Sequence, residues 1–242
     1  MKAYLSFLIV CCSTALFSTI RIDFDDTICE TLRLLPDHIS WLQEAVEQSL
    51  HMSHECQVVI RPLHRDELEQ VSAAIIQNFI DRPEYQQFDE QALALYKRAN
   101  SYEHLTHTLA KPTTYAFVAA TTEHNDFYGI IIVRQKQCVG HPLEMQIRLL
   151  HTFLSKPEGV KGVGKTLLNI AVAIAKAHGQ SSLTAITPGL MATAALPARP
   201  FFEHCGFVGD LIEKIYQLPT GPVRLQQFKC HFSIPDHFAG FC

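Results

Sequence analysis

Charged residues are scarce in this chain, and neither sign is in large excess. Asp, Glu, Lys and Arg make up only 18% of the 242 residues, and the formal net charge is −4. No run of Lys and Arg stands out, so the sequence lacks the basic patch that nucleic-acid binding requires. We therefore predict no nucleic-acid partner. Hydrophobic residues reach 48%, enough for a large buried core, which excludes wholesale disorder.

Metal-binding patterns are also missing. The eight cysteines form no C-x-x-C pair, and the histidine pairs His51/His54 and His104/His107 have no third ligand in register. We therefore predict no metal site. The sequence contains no N-x-[ST] glycosylation signal, and a chain this large does not need disulfides to fold. These absences favour a cytoplasmic protein with reduced thiols.

One long uncharged run, residues 3–20, argues against that location. It follows Lys2 and has the length of a signal-peptide core or a short membrane span. Two interpretations stay open: the run packs on the domain as a buried strand or helix, or it contacts a membrane. We favour the packed segment and a cytoplasmic location, with a membrane-anchored or exported protein as the alternative.

The chain divides into an N-terminal extension over 1–56 and a regular domain over 57–242. In the extension, a helical pattern begins after Pro36-Asp37 and continues to Leu50. In the domain, "QVVIRPL" predicts a strand, and a helix follows with Asp66 as its N-cap. Asp81-Arg82-Pro83 ends that helix. A second helix is predicted over Asp89 to Leu105.

The rest of the domain predicts a sheet. Two strands joined by "EHND" form a hairpin, "LEMQIRLLHTFL" is a longer strand, and a helix closed by Gly179 follows. A strand over "SSLTAIT", a short helix from Pro197 to His204 and a final hairpin across "PTGP" complete the order.

The loop "GVKGVGKTLL" permits two interpretations. It matches the phosphate loop of nucleoside triphosphatases, with Gly159, Gly164, Lys165 and Thr166 in place. However, the later strand "SSLTAIT" ends without the acidic Mg²⁺ ligand that such enzymes need. The loop also carries G-x-G before a helix, which suits the pyrophosphate of an acyl-CoA. Both interpretations place phosphate on backbone N–H groups at a helix start.

Two motifs together make the chain resemble the GNAT N-acetyltransferases over about 57–232. "GVKGVG" supplies Gly162 and Gly164 of the family loop Q/R-x-x-G-x-G/A, although Gly159 stands where Arg or Gln is usual. "ARPFFEHCGF" matches the looser A-x-x-F-Y-x-x-x-G-F. The resemblance implies an α/β (α+β) fold with a twisted, mixed and mainly antiparallel sheet flanked by helices. It also implies an enzyme that moves an acetyl group from acetyl-CoA to a primary amine.

The resemblance implies a binding site for acetyl-CoA at this loop. Backbone N–H groups would meet the pyrophosphate, and the preceding strand would splay from its neighbour and offer backbone groups to pantetheine, one N–H acting as an oxyanion donor. The predicted contact residues are Phe153, Leu154, Gly159, Val160, Lys161, Gly162, Val163, Gly164, Lys165, Thr166 and Phe202.

Catalytic residues are less clear from the sequence. Glu144 and His151 on the strand before the loop are the candidates for the base. Their spacing of seven places them on opposite faces of a regular strand unless a bulge intervenes. Many family members have a Tyr acid at the position of Phe202, which carries no hydroxyl here. Cys205, His204 and Tyr216 are nearby candidates for that role.

The acceptor is the least certain prediction. Asp81, Glu84, Asp89 and Glu90 lie in segments that would form its pocket, where they would attract a cationic amine. A small amine is therefore slightly favoured over a peptide or lysine. Because Phe202 replaces the usual Tyr, a non-catalytic acyl-CoA-binding module is the main alternative, ahead of a phosphate-loop protein.

Overall fold

The computed structural model describes residues 19–49, 57–83, 90–121, 126–136, 143–153, 160–189, 198–218 and 221–234. Most of the apolar segment 3–20 lies outside these ranges, as do Leu154, Gly159, Glu84 and Asp89 among the residues predicted to form the site. Within the described ranges, no helix is both long and apolar enough to span a membrane.

In the described residues, eight strands form one mixed sheet in the order β1-β2-β3-β4-β5-β6-β8-β7. Two neighbouring pairs, β1 with β2 and β5 with β6, are parallel, and the other pairs are antiparallel. The strands are β1 Thr19–Ile22, β2 Gln57–Pro62, β3 Thr114–Thr121, β4 Phe127–Lys136, β5 Glu144–Thr152, β6 Ser182–Gly189, β7 Val208–Leu218 and β8 Gly221–Ser233. This is the mixed, mainly antiparallel sheet that the sequence predicts.

Seven helices accompany the sheet in the described part of the chain. They are α1 Asp26–Leu32, α2 Pro36–Ser49, α3 Leu68–Asp81, α4 Glu90–Ala99, α5 Tyr102–Leu109, α6 Val163–Ala177 and α7 Ala198–His204. A short 3-10 turn, Arg65–Glu67, precedes α3.

Two predictions about the helices are wrong in detail. The segment from Asp89 to Leu105 is not one helix, because Asn100 ends α4 and the Ser101 hydroxyl caps α5 by accepting from the His104 N–H. Asp66 is not the N-cap of α3 either. It lies in the 3-10 turn, and α3 begins after Glu67.

The two faces of the sheet carry separate hydrophobic cores. On one face α6 packs with α2, and the buried residues include Trp41, Leu42 and Leu167. On the other face α3 and α5 cover Ile130, Ile132 and Phe153. The described part of the N-terminal extension therefore belongs to the core of the sheet: β1 pairs with β2, and α2 packs on α6.

A partly buried ion pair fixes the start of α3. Arg61, on β2, donates from Nη1 to Glu67 Oε2 at 2.8 Å and from Nη2 to Oε1. Glu67 Oε2 also accepts from the His64 N–H at 2.9 Å. Burial raises the pKa of Glu67, but these hydrogen bonds outweigh it and hold the pKa below its ordinary value.

Gly129 lies where the sheet packs closely against α6. A Cβ at this position would lie 2.9 Å from both Leu167 Cδ1 and Val163 Cγ1, and 3.0 Å from the His151 carbonyl. We expect Gly129→Ala to lower the free energy of unfolding by about 1–3 kcal/mol through overpacking. Urea unfolding measures this, and a variant as stable as wild type would show that α6 does not pack this tightly.

The ion pair gives a pH-dependent prediction. Folding lowers the pKa of Glu67. The stability that the ion pair contributes is therefore present above the pKa that Glu67 has in the unfolded chain. It is lost as the pH falls through the pKa that Glu67 has in the folded protein. Glu67→Gln should cost about 2 kcal/mol at pH 7 and much less at pH 3.5. Exposed Asp66→Asn is the control and should have little effect at either pH. Urea unfolding at both pH values tests this, and an equal loss for Glu67→Gln at both would contradict it.

Candidate functional site

The strands β5 and β6 separate partway along their length. Their parallel pairing covers only Met145–Ile147 and Leu183–Ala185. Beyond this point β5 stays paired with β4 as far as Thr152, and β6 stays paired with β8 as far as Gly189. A wedge-shaped opening therefore forms between them, which we call the cleft. The resemblance to the GNAT family implies a splay near Phe153 and Leu154, and in the structure the strands separate after Ile147.

A β-bulge lies at the point of separation. Ile132 on β4 pairs with Leu149 on β5 while Val133 pairs with Ile147, so Arg148 is the extra residue. One inserted residue reverses the alternation of side chains beyond it. Glu144 pairs with Lys136 and His151 with Ile130, so the two candidate bases lie on the same face of the sheet. A bulge does therefore intervene between them.

His151 is held by a polar network at the end of α3. Its Nε2 lies 2.9 Å from Asn78 Oδ1, and Arg82 Nε donates to the same oxygen at 3.2 Å. Arg82 Nη2 also donates to the Thr152 carbonyl at 2.7 Å. The ring packs edge-on against Phe153, with centroids 5.2 Å apart. These contacts join the C-terminal ends of α3 and β5.

His151 is neutral at physiological pH. Burial lowers its pKa, and the nearby positive charge of Arg82 lowers it further, to about 3. The ring is therefore available as a hydrogen-bonding group that carries no charge.

The helix α6 starts close to the end of β5. Gly162 is its N-cap and has φ 87°, in the left-handed region where glycine is unstrained. The Thr166 N–H closes the first turn on the Gly162 carbonyl at 2.9 Å. The N–H groups of Val163, Gly164 and Lys165 have no acceptor within the helix. With the helix dipole, they form a surface suited to an anion.

Gly164 brings this helix start against both β5 and α7. A Cβ there would meet the Phe201 ring at 3.3 Å and the Thr152 methyl at 3.5 Å. Phe202, the neighbour of Phe201, is only 4% exposed. It packs edge-on between Phe201 and Phe207, with centroid distances of 5.4 and 4.9 Å. Its ring therefore supports α7 from within the core.

The remaining loop residues have different surroundings. Val160 and Val163 are buried, Lys161 is exposed and Lys165 is partly exposed. Thr166 is fully buried, so its hydroxyl lies in the core and only its backbone lies at the start of the helix.

The candidates for the acid lie outside this loop. Burial raises the pKa of the Cys205 thiol, although the charge of Lys165 opposes this. His204 is exposed, and the side chain of Tyr216 lies outside the described residues.

The structure brings most of the predicted site together. Phe153, the described loop residues and His151 surround the end of β5. Glu144 lies on the same face as His151 but at the opposite end of the strand. Sequence reasoning missed Asn78 and Arg82, which contact His151 and Thr152 from a helix about 70 residues earlier. A cavity of about 250 Å³ between α1 and the ends of β2 and β3 is lined by none of these residues.

The arrangement disagrees with a phosphate-loop protein. The strand before the loop is antiparallel to β4 and has only a short parallel pairing with β6. A phosphate loop instead follows a strand of a parallel sheet, whose neighbours are reached by helical crossovers.

The lowered pKa of His151 predicts acid sensitivity. The His151 ring binds a proton more weakly in the folded protein than in the unfolded chain. Protonation therefore favours the unfolded chain, and the protein loses stability as the pH falls below 6.5. Between pH 7 and pH 5, wild type should lose about 2 kcal/mol more stability than His151→Gln, which keeps a donor for Asn78. Urea unfolding at both pH values checks this difference. Parallel losses in the two proteins would contradict a neutral His151.

The fold matches that of solved acetyltransferases, although no family model and no curated protein matches the sequence. The PaiA N-acetyltransferase from Thermoplasma acidophilum, solved with coenzyme A, has a TM-score of 0.50 at 14% identity, over 73% of this chain and 98% of its own.

Two further structures are similar to a lesser degree. A GNAT-family acetyltransferase from Streptococcus pneumoniae has a TM-score of 0.48 at 14% identity, over 73% of this chain and 99% of its own. A GCN5-related N-acetyltransferase from Ralstonia eutropha has a TM-score of 0.46 at 21% identity, over 62% of this chain and 91% of its own.

From the sheet order, the cleft and the match to the Thermoplasma structure, we conclude that the chain has the GNAT acetyltransferase fold.

Proposed function

We propose that the protein is an acetyl-CoA-dependent N-acetyltransferase that acts on a primary amine. The observation that carries the proposal is the position of the cleft. The strands β5 and β6 part after Ile147, and α6 begins beside the end of β5 with N–H groups that have no acceptor within the helix. The Thermoplasma acetyltransferase that shares the fold was solved with coenzyme A.

The residues at the start of α6 fit the pyrophosphate of acetyl-CoA. The N–H groups of Val163, Gly164 and Lys165 would hold it, with Lys161 and the Lys165 ammonium adding positive charge. Gly162 adopts a conformation that L side chains rarely adopt, and Gly164 leaves no Cβ between the helix and Phe201. Leu154 and Gly159, in the adjoining loop, would contribute backbone groups.

The free edge of β5 suits the pantetheine arm. Past Ile147, this edge has lost β6 as a partner, so its N–H and C=O groups are available to a ligand except where another group of the protein binds them. An N–H near Phe153 would polarise the thioester carbonyl. Acetyl-CoA itself would supply the activated acyl group that the amine attacks.

Of the two candidate bases, only His151 lies where it could contact the attacking amine. His151 lies near the end of β5 and is neutral, so it can accept a hydrogen bond from the amine without first losing a proton. Its low pKa makes it a weak base, so we assign it to orienting the amine. Glu144 lies at the opposite end of β5. At about 3.3 Å per strand residue it is too far from His151 to take this proton directly or through one water, so we assign it no catalytic role.

A small amine remains the favoured acceptor. Asp81 and Glu90 are exposed at the two sides of the segment between α3 and α4, and Asp81 Oδ1 accepts from Gln77 at 2.7 Å. Exposed carboxylates here would steer a cationic amine toward the cleft, and the effect would weaken with salt.

Phe202 favours a second candidate, a non-catalytic acyl-CoA-binding module. Its ring is buried in an aromatic cluster and has no hydroxyl to protonate the departing thiolate. Such a module would bind acetyl-CoA and release no CoA with any amine.

Binding can be tested with two glycines at the ends of α6. Gly162 (φ 87°) and Gly179 (φ 68°) both need the left-handed conformation, so an alanine should cost each about 1–2 kcal/mol of stability. Only Gly162 lies at the proposed site. We expect Gly162→Ala to weaken acetyl-CoA binding at least tenfold, and Gly179→Ala to keep wild-type affinity. Calorimetry measures both.

Three results would overturn the proposal or modify it. Stabilisation of wild type by Mg-ATP and not by acetyl-CoA would overturn it, as would equal affinities for the two glycine variants. An assay of CoA release against polyamines, arylalkylamines, aminoglycosides and peptides identifies the acceptor. Binding without release across that panel would favour the non-catalytic module.

A further inference from the structure

Past Ile147, the edge of β5 that faces β6 has no strand partner among the described residues. The Phe153 N–H donates to the Tyr128 carbonyl on β4 at 3.0 Å. In a trans peptide, the carbonyl of the preceding residue points the opposite way. The Thr152 carbonyl is therefore directed away from β4, toward the side where β6 has departed.

Arg82 supplies the missing donor. Its Nη2 lies 2.7 Å from the Thr152 carbonyl and 3.5 Å from the Thr152 hydroxyl. Arg82 directly follows α3 and has an extended backbone, which lets its side chain reach across to β5. At the edge of the cleft, the Arg82 guanidinium thus donates the hydrogen bond that a neighbouring strand would donate in a continuous sheet.

The same guanidinium determines the tautomer of His151. Arginine is only a donor, so the Asn78 atom that faces Arg82 Nε must be the carbonyl oxygen. That oxygen also faces His151 Nε2, which must then carry a hydrogen and donate. In the neutral ring, Nδ1 is left as the acceptor.

We propose that Arg82 and Asn78 are positioning residues of the acetyl-transfer cleft, which hold the end of β5 in place and fix His151 as its Nε2–H tautomer. The inference rests on the proposed function for its catalytic consequence. Arg82 acts through Thr152, and Asn78 acts through His151. Among the described residues, the groups that face the His151 ring are Asn78 from α3, Arg82 directly after α3, Ile130 from β4 and Phe153.

The central experiment compares Arg82→Met with Arg82→Lys. Methionine keeps much of the length of the side chain but donates no hydrogen bond, and one lysine ammonium cannot reproduce the guanidinium fork that joins Asn78 and Thr152. We expect either change to lower kcat by about 10- to 100-fold, since a displacement of about 1 Å can have this effect. Exposed Arg65→Met, outside the network, is the control and should keep wild-type kcat.

A second measurement does not depend on activity. Nitrogen NMR of His151 should show one protonated Nε2 and an unprotonated Nδ1 in wild type down to pH 5. Asn78→Asp, which is nearly isosteric, places a carboxylate beside the ring and should raise the pH at which His151 titrates. This variant serves if Arg82→Met fails to fold.

The two measurements separate the inference from the function on which it rests. If wild type neither binds acetyl-CoA nor releases CoA, the proposed function fails, and the NMR result alone decides the network. An Nδ1–H tautomer in wild type, or wild-type kcat in folded Arg82→Met, would overturn the inference. Full rescue of kcat by Arg82→Lys would also overturn it, because it would reduce the role of Arg82 to charge alone.

Discussion

The separation of β5 from β6 after Ile147 is the constraint on which the site depends. A continuous sheet would pair every backbone group of β5 on both edges and leave no room for a ligand. Here the pairing stops after three residues. The bulge at Arg148 lies at that point and increases the local twist of β5. Opening a sheet at this place exposes polar backbone that must find new partners.

The structure meets this requirement in part with Arg82, which directly follows α3. Arg82 binds the Thr152 carbonyl, and its charge adds to the effect of burial, which is the main cause of the lowered pKa of His151. One cation therefore satisfies an edge carbonyl and helps to keep a candidate catalytic group neutral. If the proposed amine acceptor binds near Thr152, this guanidinium would repel its protonated form at close range. Steering by Asp81 and Glu90 would act at a distance, whereas binding near Thr152 would favour the neutral amine.

Local sequence patterns predicted most of the sheet, and long-range contacts account for what they missed. The hairpin of β3 and β4, the glycine-led α6 and the glycine at its end follow from periodicity and backbone chemistry. The break between α4 and α5 depends on Asn100, whose side chain donates to the Tyr96 carbonyl, and a helical pattern does not show that. Arg82 was assigned only to the end of a helix, because no local signal links it to Thr152.

The bulge shows how one residue alters a functional prediction. With regular alternation, Glu144 and His151 would lie on opposite faces of the sheet. The extra residue Arg148 returns both to the face covered by α3 and α5. No sequence pattern in β5 marks the position of that insertion, which appears only in the pairing with β4. The chemistry that this face can perform is therefore set by the register of β4 against β5 as much as by the identity of its side chains.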